Sequence, residues 1–560
     1  MASQDRRPAR LRDRPALAAL TAGLVLVETA VLGGLGPVTG LALAPQVSAP
    51  TPFDQFHDLR WIAVYTPSWP VVVLAVALFV VARSAITAAI VGLAWPADLP
   101  VPDGRERMRR ALLATAVVAA LLVPWVVLSF ATAVFSLSYA WIVAVPVVVM
   151  VSTIVHCAAV SPRWWRTRPP ARSVGAVLVA FASTTVAGAV VAAGPAWVRW
   201  PTVLAAGLVN GWCWLRVTDA AVHAPADAVR RPFAVVALAA VLALVVGGAA
   251  VGFAVAVALE HDRARAPRAA PVGPTGGPPV LVVKGFNSRW DGVTRRWVGG
   301  DVRIRRFSYA GLDRAGEPRP YPRGATHEPL RTLALRLGAQ VDALAHDAGA
   351  PVGIVAESEG ALVALTYLLA TPGAPVRSVV VLSPLVEPGR VSYPAPGRVG
   401  WGVAAGAALD GVGAIVERLG PVDVRSDTPL FRSIVEQAPL LQGLLRCRAP
   451  GVRELAVLPF DTGLAAPRPA AVTIPYVVRP AFHGGLLGDR RTEHLVRRVL
   501  HGHAVATQTR WRATERVVQA LASPWQVPSL TKSLEPAWRD LPDPDDCPAV
   551  RRGLRRYLTG

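Results

Sequence analysis

The distribution of apolar residues divides the chain into two halves. Up to about residue 260, long apolar runs alternate with short polar stretches, and residues 111–160 contain no Lys, Arg, Asp or Glu. A helix that crosses a bilayer needs about 20 apolar residues, so this run must fold back on itself near Ser136 to Tyr139. From residue 279 onward the apolar runs are short and β-branched, and they alternate with stretches of helical periodicity. The pattern therefore predicts a membrane half followed by an α/β domain.

In the first half the pattern predicts an all-α transmembrane bundle of about seven helices over residues 16–260, after a cytoplasmic segment 1–15. The sixth helix is cleanly apolar only from Pro201 to Leu215, with tryptophans near both ends that suit the two membrane interfaces. The predicted spans are 16–36, 70–94, 111–133, 139–160, 173–194, 200–222 and 233–259.

Arginine is concentrated in alternate loops, which sets the expected orientation. The arginine-rich segments are the N-terminus and the loops 95–110, 161–172 and 223–232, whereas the other connections contain almost no arginine. Because positive loops stay in the cytoplasm, seven spans place the C-terminal domain outside the cell membrane. If segment 200–222 does not span, the domain stays inside.

Two charged residues fall near the middles of the first two spans, Glu28 and Arg83. A charge at the bilayer centre costs roughly 2.5–3.5 kcal/mol on insertion scales, so it usually meets a partner. We expect an internal ion pair that aligns the two helices. The alternative is a polar pathway that includes Asn210.

In the second half, short apolar strands alternate with helices, which predicts a mostly parallel sheet covered on both faces. A linker at 261–278 precedes the domain at 279–503. Within it, an insert at 384–450 with apolar helical pieces is expected to form a cap, and residues 504–560 a helix and a tail. Thr326 is the expected N-cap of a helix that begins near Leu330. The predicted strands are Pro279 to Val283, Val302 to Phe307, Val352 to Ala356, Val376 to Leu382, Val452 to Leu458 and Val472 to Val478.

The third strand runs directly into Ala356-Glu357-Ser358-Glu359-Gly360 and then into a helical stretch. Small residues two positions either side of Ser358 allow the sharp strand-to-helix turn that lifts a serine hydroxyl out of a sheet. Such a short motif also occurs by chance in a chain rich in Ala and Gly. Its position in the order of elements is what favours chemistry at Ser358.

With this elbow in place, residues 280–500 resemble the α/β-hydrolase superfamily, and lipase- or esterase-type members most of all. The resemblance implies a Ser, acid, His triad in chain order, each residue after a strand. Ser358 would be the nucleophile, Asp461 the residue that orients the imidazole, and His483 the general base. Asp427 and Glu387 are the alternative acids.

The same resemblance implies an oxyanion hole formed by the backbone N–H groups of Phe286 and Glu359. Three residues depart from the family pattern. Ala356 replaces the commoner glycine, Lys284 stands where many members carry His, and the carboxylate of Glu359 would lie near a developing negative charge. The last departure favours a non-catalytic relative.

We therefore expect a membrane-anchored serine hydrolase that cleaves or transfers an acyl group from a lipid-like ester, with no cofactor and no metal. The alternatives are a non-catalytic domain used for binding or sensing, and a transporter-like membrane half with an accessory hydrolase. The expected partners are the lipid bilayer and a small acyl ester.

Charge and cysteine content add limited information. The net charge of +21 comes almost entirely from dispersed arginine, because Lys occurs only at positions 284 and 532. No basic stretch is interleaved with aromatic residues, so we expect no nucleic-acid partner. Cys447 and Cys547 would be free to form a disulfide if the domain lies outside, although sequence alone does not place them within bonding distance.

Overall fold

The computed structural model describes residues 10–35, 40–135, 159–161, 170–224, 277–294, 302–419, 425–459, 472–481, 483–507 and 510–560. In the N-terminal half these residues form six α-helices, most of which have a proline at the N-cap or in the first two positions, where a missing N–H costs nothing. They are α1 (Pro15–Gly34), α2 (Phe53–Val64), α3 (Trp69–Ala94), α4 (Gly104–Phe135), α5 (Ala171–Ala193) and α6 (Ala196–Val222).

Four of these helices, α1, α3, α4 and α5, are long and apolar enough to cross a membrane. The expectation of seven is therefore supported for four. The predicted sixth span forms the long helix α6, but Arg199, Arg216 and Asp219 lower its hydropathy and it is not among the four. Apart from a turn at 159–160, the predicted spans 139–160 and 233–259 lie outside the described residues.

A buried segment that the sequence did not predict, residues 40–66, lies between the membrane helices and the C-terminal half. It contains a short 3-10 stretch, Leu41–Gln46, and helix α2, and most of its residues are buried. The expected direct pair of Glu28 and Arg83 does not form. Instead, His57 and Asp58 of α2 lie between the two side chains and bind both of them.

In the C-terminal half, six strands form one sheet in the order β2-β1-β3-β4-β5-β6, and every neighbouring pair is parallel. The strands are β1 (Pro279–Val283), β2 (Arg303–Arg306), β3 (Val352–Glu357), β4 (Val376–Leu382), β5 (Arg453–Pro459) and β6 (Tyr476–Arg479). The parallel α/β domain is thus confirmed. The strand expected at 472–478 begins only at Tyr476.

Helices cover both faces of this sheet, as its apolar strands require. The helices described in this half are α7 (Leu330–Ala348), α8 (Glu359–Ala370), α9 (Val403–Leu419), α10 (Pro429–Glu436), α11 (Ala438–Gln442), α12 (Arg490–Leu500), α13 (Arg510–Ala522) and α14 (Cys547–Thr559). Helix α9 packs against α2, α3 and α4 instead of the sheet. The expected insert contributes α9 to α11. Thr326 is not the N-cap of α7, because that position is Pro329. Helix α14, which the sequence did not predict, is capped by Asp546.

The C-terminal half rests on one end of the helical bundle. The N–H groups of Gly389 and Gly400 in the insert donate to the carbonyls of Val134 and Pro67, at 2.6 and 2.8 Å. At the opposite end, the Arg14 guanidinium donates to the Trp95 carbonyl at 2.8 Å. The arginine-rich connection at 95–110 and the C-terminal half therefore lie at opposite ends of the bundle.

A disulfide joins Cys447 to Cys547, with their Cα atoms 5.2 Å apart. It ties the start of α14 to the segment that follows α11. Of the remaining cysteines in the described part of the chain, Cys213 is a buried free thiol.

Candidate active site

Ser358 occupies the sharp turn between β3 and α8, with backbone angles φ 55° and ψ −118°. The turn closes because two glycines allow close approach of the neighbouring backbone. A Cβ added at Gly360 would lie 2.8 Å from the carbonyl oxygens of Val283 and Lys284, and one added at Gly285 would lie 2.9 Å from the Ser358 Cβ. The sharp turn predicted around Ala356 and Gly360 is therefore present in the structure.

The Ser358 hydroxyl lies 2.8 Å from Nε2 of His483, a separation of 125 residues in the chain. His483 follows β6, so the parallel sheet brings the ends of β3 and β6 to the same edge. Burial lowers the pKa of His483 from 6.5 to about 4. The imidazole is therefore neutral at pH 7, which is the form that accepts a proton from a serine.

Ser358 also lies where the strand order reverses. Strand β1 lies between β2 and β3. The connection from β1 to β2 therefore runs to one side of β1, and the connection from β2 to β3 leads back to its other side. In open parallel sheets, ligands bind in the crevice outside the carboxyl ends of the strands at such a point. The loop after β1 and the elbow after β3 form its two walls.

The two residues expected to supply backbone donors, Phe286 and Glu359, follow β1 and β3 on either side of this crevice. Glu359 begins α8, so its N–H is one of the first-turn groups that have no acceptor within the helix. Phe286 lies in the loop after β1, and its ring is held between His327, at 4.7 Å, and Phe431 of α10, at 5.2 Å. The insert therefore reaches the loop that carries one expected donor.

Among the described residues, the non-glycine positions with positive φ are Asn287, Ser358 and Ser383. They follow β1, β3 and β4, at the same edge of the sheet. Such strain persists only where the surroundings enforce it, and it clusters at functional sites. Here Asn287 donates its N–H to the Thr326 hydroxyl at 2.9 Å, which gives Thr326 a role in the loop rather than as a helix cap.

Ser383 is a site residue that sequence reasoning missed. It is fully buried, and its hydroxyl accepts the N–H of Gly484 at 3.4 Å, directly after His483. The contact helps to hold the histidine loop against the end of β4. Its position immediately after a predicted strand was the only available indication.

The carboxyl group of Glu359, which the sequence marked as an obstacle, is buried, and neither of its oxygens has a hydrogen-bond partner in the described part of the chain. Burial raises the pKa of Glu359 well above its usual value. Burial therefore favours the neutral form of this side chain. On the other side of Ser358, Glu357 lies 3.8 Å from the Lys284 ammonium.

The expected acid, Asp461, lies outside the described residues, so its position relative to His483 stays a prediction. Both alternative acids have other environments. Glu387 is bound by the guanidinium of Arg446, and Asp427 is exposed.

No metal centre is formed by the described residues: no three His, Cys, Asp or Glu side chains are grouped to hold an ion. The chain matches no protein-family model, and it matches none of the curated protein sequences.

Proposed function

We propose that the C-terminal domain is a serine hydrolase that cleaves or transfers an acyl group through a covalent ester on Ser358. The observation that carries this proposal is the 2.8 Å contact between the Ser358 hydroxyl and Nε2 of His483 at a strained elbow. A serine hydroxyl is a weak nucleophile until an adjacent base takes its proton. A half-buried serine at the elbow and a histidine whose neutral form is favoured by burial meet at this pair.

In the proposed reaction, Ser358 Oγ attacks the acyl carbon while its proton passes to His483 Nε2. The oxyanion of the tetrahedral intermediate accepts hydrogen bonds from the N–H groups of Glu359 and Phe286. The leaving alcohol takes the proton from His483 as its bond to the acyl carbon breaks. A water or an acceptor alcohol then repeats the sequence and frees Ser358. Asp461 is assigned the role of orienting the imidazole, on its place in chain order.

The resemblance to α/β-hydrolases supports the same assignment. The candidate residues follow β3, β5 and β6 of a parallel sheet, in the order Ser, acid, His. A catalytically inactive domain is the competing class. The main support for an inactive domain is the carboxyl group of Glu359 beside the oxyanion position, and burial favours the neutral form of that group.

A lipid-like acyl ester is the substrate class that the position of the insert favours. Tyr393 in the insert packs against Phe130 of α4, with ring centroids 6.4 Å apart, and Phe431 covers Phe286. The insert thus connects the membrane helices with the loop beside Ser358. An acyl chain that leaves the bilayer would meet this apolar surface before it reaches the crevice.

Two observations support an extracytoplasmic C-terminal domain. The domain is held at the end of the bundle opposite the arginine-rich connection at 95–110, which the positive-inside rule keeps in the cytoplasm. The disulfide between Cys447 and Cys547 fits an oxidising compartment.

Fluorophosphonate labelling of the detergent-solubilised protein tests the proposed nucleophile. We expect labelling of the wild type and of Ser533→Ala, which removes an exposed serine of the same half. Ser358→Ala should show none, and His483→Ala should label at least about 10²-fold more slowly, since a positioned base contributes roughly 10²–10⁴.

Absence of labelling in a wild-type protein that is monodisperse and melts cooperatively would contradict the proposal and favour a binding domain. Labelling that persists in Ser358→Ala would place the activated serine elsewhere.

A further inference from the structure

A buried cluster of charged side chains lies where α2 meets α1 and α3, far in sequence from the candidate active site. The imidazole of His57 lies between two carboxylates, with Nε2 2.7 Å from Glu28 Oε1 and Nδ1 2.8 Å from Asp58 Oδ1. Asp58 in turn accepts two hydrogen bonds from the Arg83 guanidinium, each 2.7 Å long. Ionisable groups among membrane helices are costly, and those that occur usually have a function.

The heavy atoms of this cluster accommodate one proton in two places. If His57 carries it, both ring nitrogens donate, one to Glu28 and one to Asp58. If Glu28 carries it, Nε2 becomes an acceptor, and the indole N–H of Trp61, 3.2 Å away, is placed to donate to the same nitrogen. The two arrangements differ only in the position of a proton across 2.7 Å.

The charge of the cluster depends on that proton. Three groups of the cluster are positive, His57, Arg60 and Arg83, and three are negative, Glu28, Asp54 and Asp58, so the formal charges sum to zero. Burial lowers the pKa of His57, but Glu28 and Asp58 outweigh burial and raise the pKa from 6.5 to about 9. Burial raises the pKa of Asp54, 3.5 Å from Arg83, to about 6, so this carboxylate is charged at pH 7 and above. Burial lowers the pKa of the Arg60 guanidinium to about 9, so the His57 variant is needed to separate the two cations.

Helix α2 connects this cluster with the end of the chain. On the face of α2 that carries Arg60, the guanidinium donates to the carbonyls of Pro524 and Gln526, both at 2.8 Å. One turn further on, the Tyr65 hydroxyl donates to the Ser529 carbonyl at 2.6 Å. Residues 523–530, here called the C-terminal strap, contain no charged side chain. Arg60 is thus the charged group through which α2 holds the strap.

We propose that Glu28, His57 and Asp58 form a proton-binding site in the membrane half, and that α2 transmits the loss of this proton to the C-terminal strap. The site holds the proton between Glu28 Oε1 and His57 Nε2. Release to water leaves a net negative charge in a buried cluster, which weakens the packing of α2 and therefore its hold on the strap. This inference does not depend on the proposed hydrolase chemistry.

The sign of the pH effect follows from the raised pKa of His57. The stabilisation is fully present below pH 6.5 and is lost as the pH rises through about 9. Release of the strap is measurable because Lys532, two residues beyond it, is one of only two lysines in the chain. Lys532 is half-buried, so a lysine-specific protease is expected to cut there faster when the strap opens than when it is held by α2.

We would follow cleavage after Lys532 in the full-length protein in lipid nanodiscs between pH 7 and 9.5, normalised to a lysine peptide in the same reaction. We expect the normalised cleavage rate of the wild type to rise by about tenfold or more over this pH range. A pKa shift of one unit corresponds to about a tenfold change in the equilibrium between the two protonation states. His57→Gln should be cut rapidly at every pH. Glu28→Gln, which keeps the hydrogen bond but removes the charge, should move the rise to lower pH.

Lys532→Arg, which removes the cleavage site, identifies the product. A wild-type rate that does not change with pH would overturn the proposal, as would a His57→Gln protein that is cut as slowly as wild type. A pH dependence that persists in His57→Gln would assign the effect to Arg60 or another group and overturn it too. If His57→Gln is not monodisperse, Glu28→Gln serves as the test: a rise in cleavage at lower pH than in the wild type supports the proposal, and an unchanged pH dependence overturns it.

Discussion

At the scale of single residues, the elbow at Ser358 combines strain with close support. A non-glycine residue at positive φ costs roughly 1–3 kcal/mol, yet Ser358 is fixed there because its N–H donates to the Leu382 carbonyl at 2.9 Å. The strained Ser383 follows Leu382 directly and binds the loop of His483. The two strained serines thus hold the nucleophile and the base at the same sheet edge.

Glu359 gives a prediction at this scale. Its folded pKa lies well above the unfolded value of 4.5, so the folded state binds a proton that the unfolded state releases as the pH rises. Stability therefore falls above pH 4.5, by up to about 1.4 kcal/mol per pH unit. We expect Glu359→Gln to remove this loss, so that the variant melts at a higher temperature than wild type at pH 8 but not at pH 5.

Thermal unfolding at the two pH values measures the effect. Glu436→Gln is the matched control, because Glu436 is exposed. Equal differences from wild type at pH 5 and pH 8 would mean that Glu359 is ionised in the folded protein.

At the scale of elements, the contact between α8 and β1 positions the elbow. In Gly360→Ala the new methyl group would lie 2.8 Å from two backbone carbonyl oxygens, so the helix must move away from the strand. Overpacking of this kind costs about 1–3 kcal/mol, and we expect a melting temperature several degrees lower. Gly324→Ala, with nothing within 4 Å of the new methyl group, should melt like wild type; a similar loss in both variants would contradict the packing argument.

The sequence predicted the strands and helices in which the buried residues are apolar and either continuous or regularly spaced. The strand Pro279–Val283 is apolar throughout and the strand Val376–Leu382 is apolar over its last four residues, because both faces of the sheet are covered there, and this pattern can be recognised in the sequence. Helix α2 was missed because it buries Asp54, His57 and Arg60, which read as a polar loop. Their partners come from distant parts of the chain, and no local pattern records such partners.

The candidate site shows the same limit. Ser358 and His483 were predictable because a nucleophile elbow and a histidine after a strand have local sequence forms. Ser383 was not, because its part depends on the approach of two strand ends across the sheet. The neutral form of Glu359 is likewise favoured by burial, which the sequence did not reveal.

At the scale of the whole molecule, the two ends of the bundle differ in charge and in what they carry. We expect a reporter fused after Gly560 to be exported, and one inserted near residue 100, between α3 and α4, to stay in the cytoplasm. Alkaline phosphatase, active only after export, and a fluorescent protein, active only inside, measure the two sides in a bacterial host. Export of the reporter at residue 100, or retention of the one at Gly560, would reverse the proposed orientation.

The strap described above also has a consequence for the biogenesis of the protein. Trp525 packs against Phe53 and Phe181, and the buried Arg60 finds two of its acceptors at Pro524 and Gln526. These groups are more than 460 residues later in the chain than Arg60. The membrane helices are therefore synthesised long before their central contacts exist. A chain that stops before residue 523 leaves the Arg60 guanidinium with its contacts to Gln46 and Phe56 but without the two later acceptors.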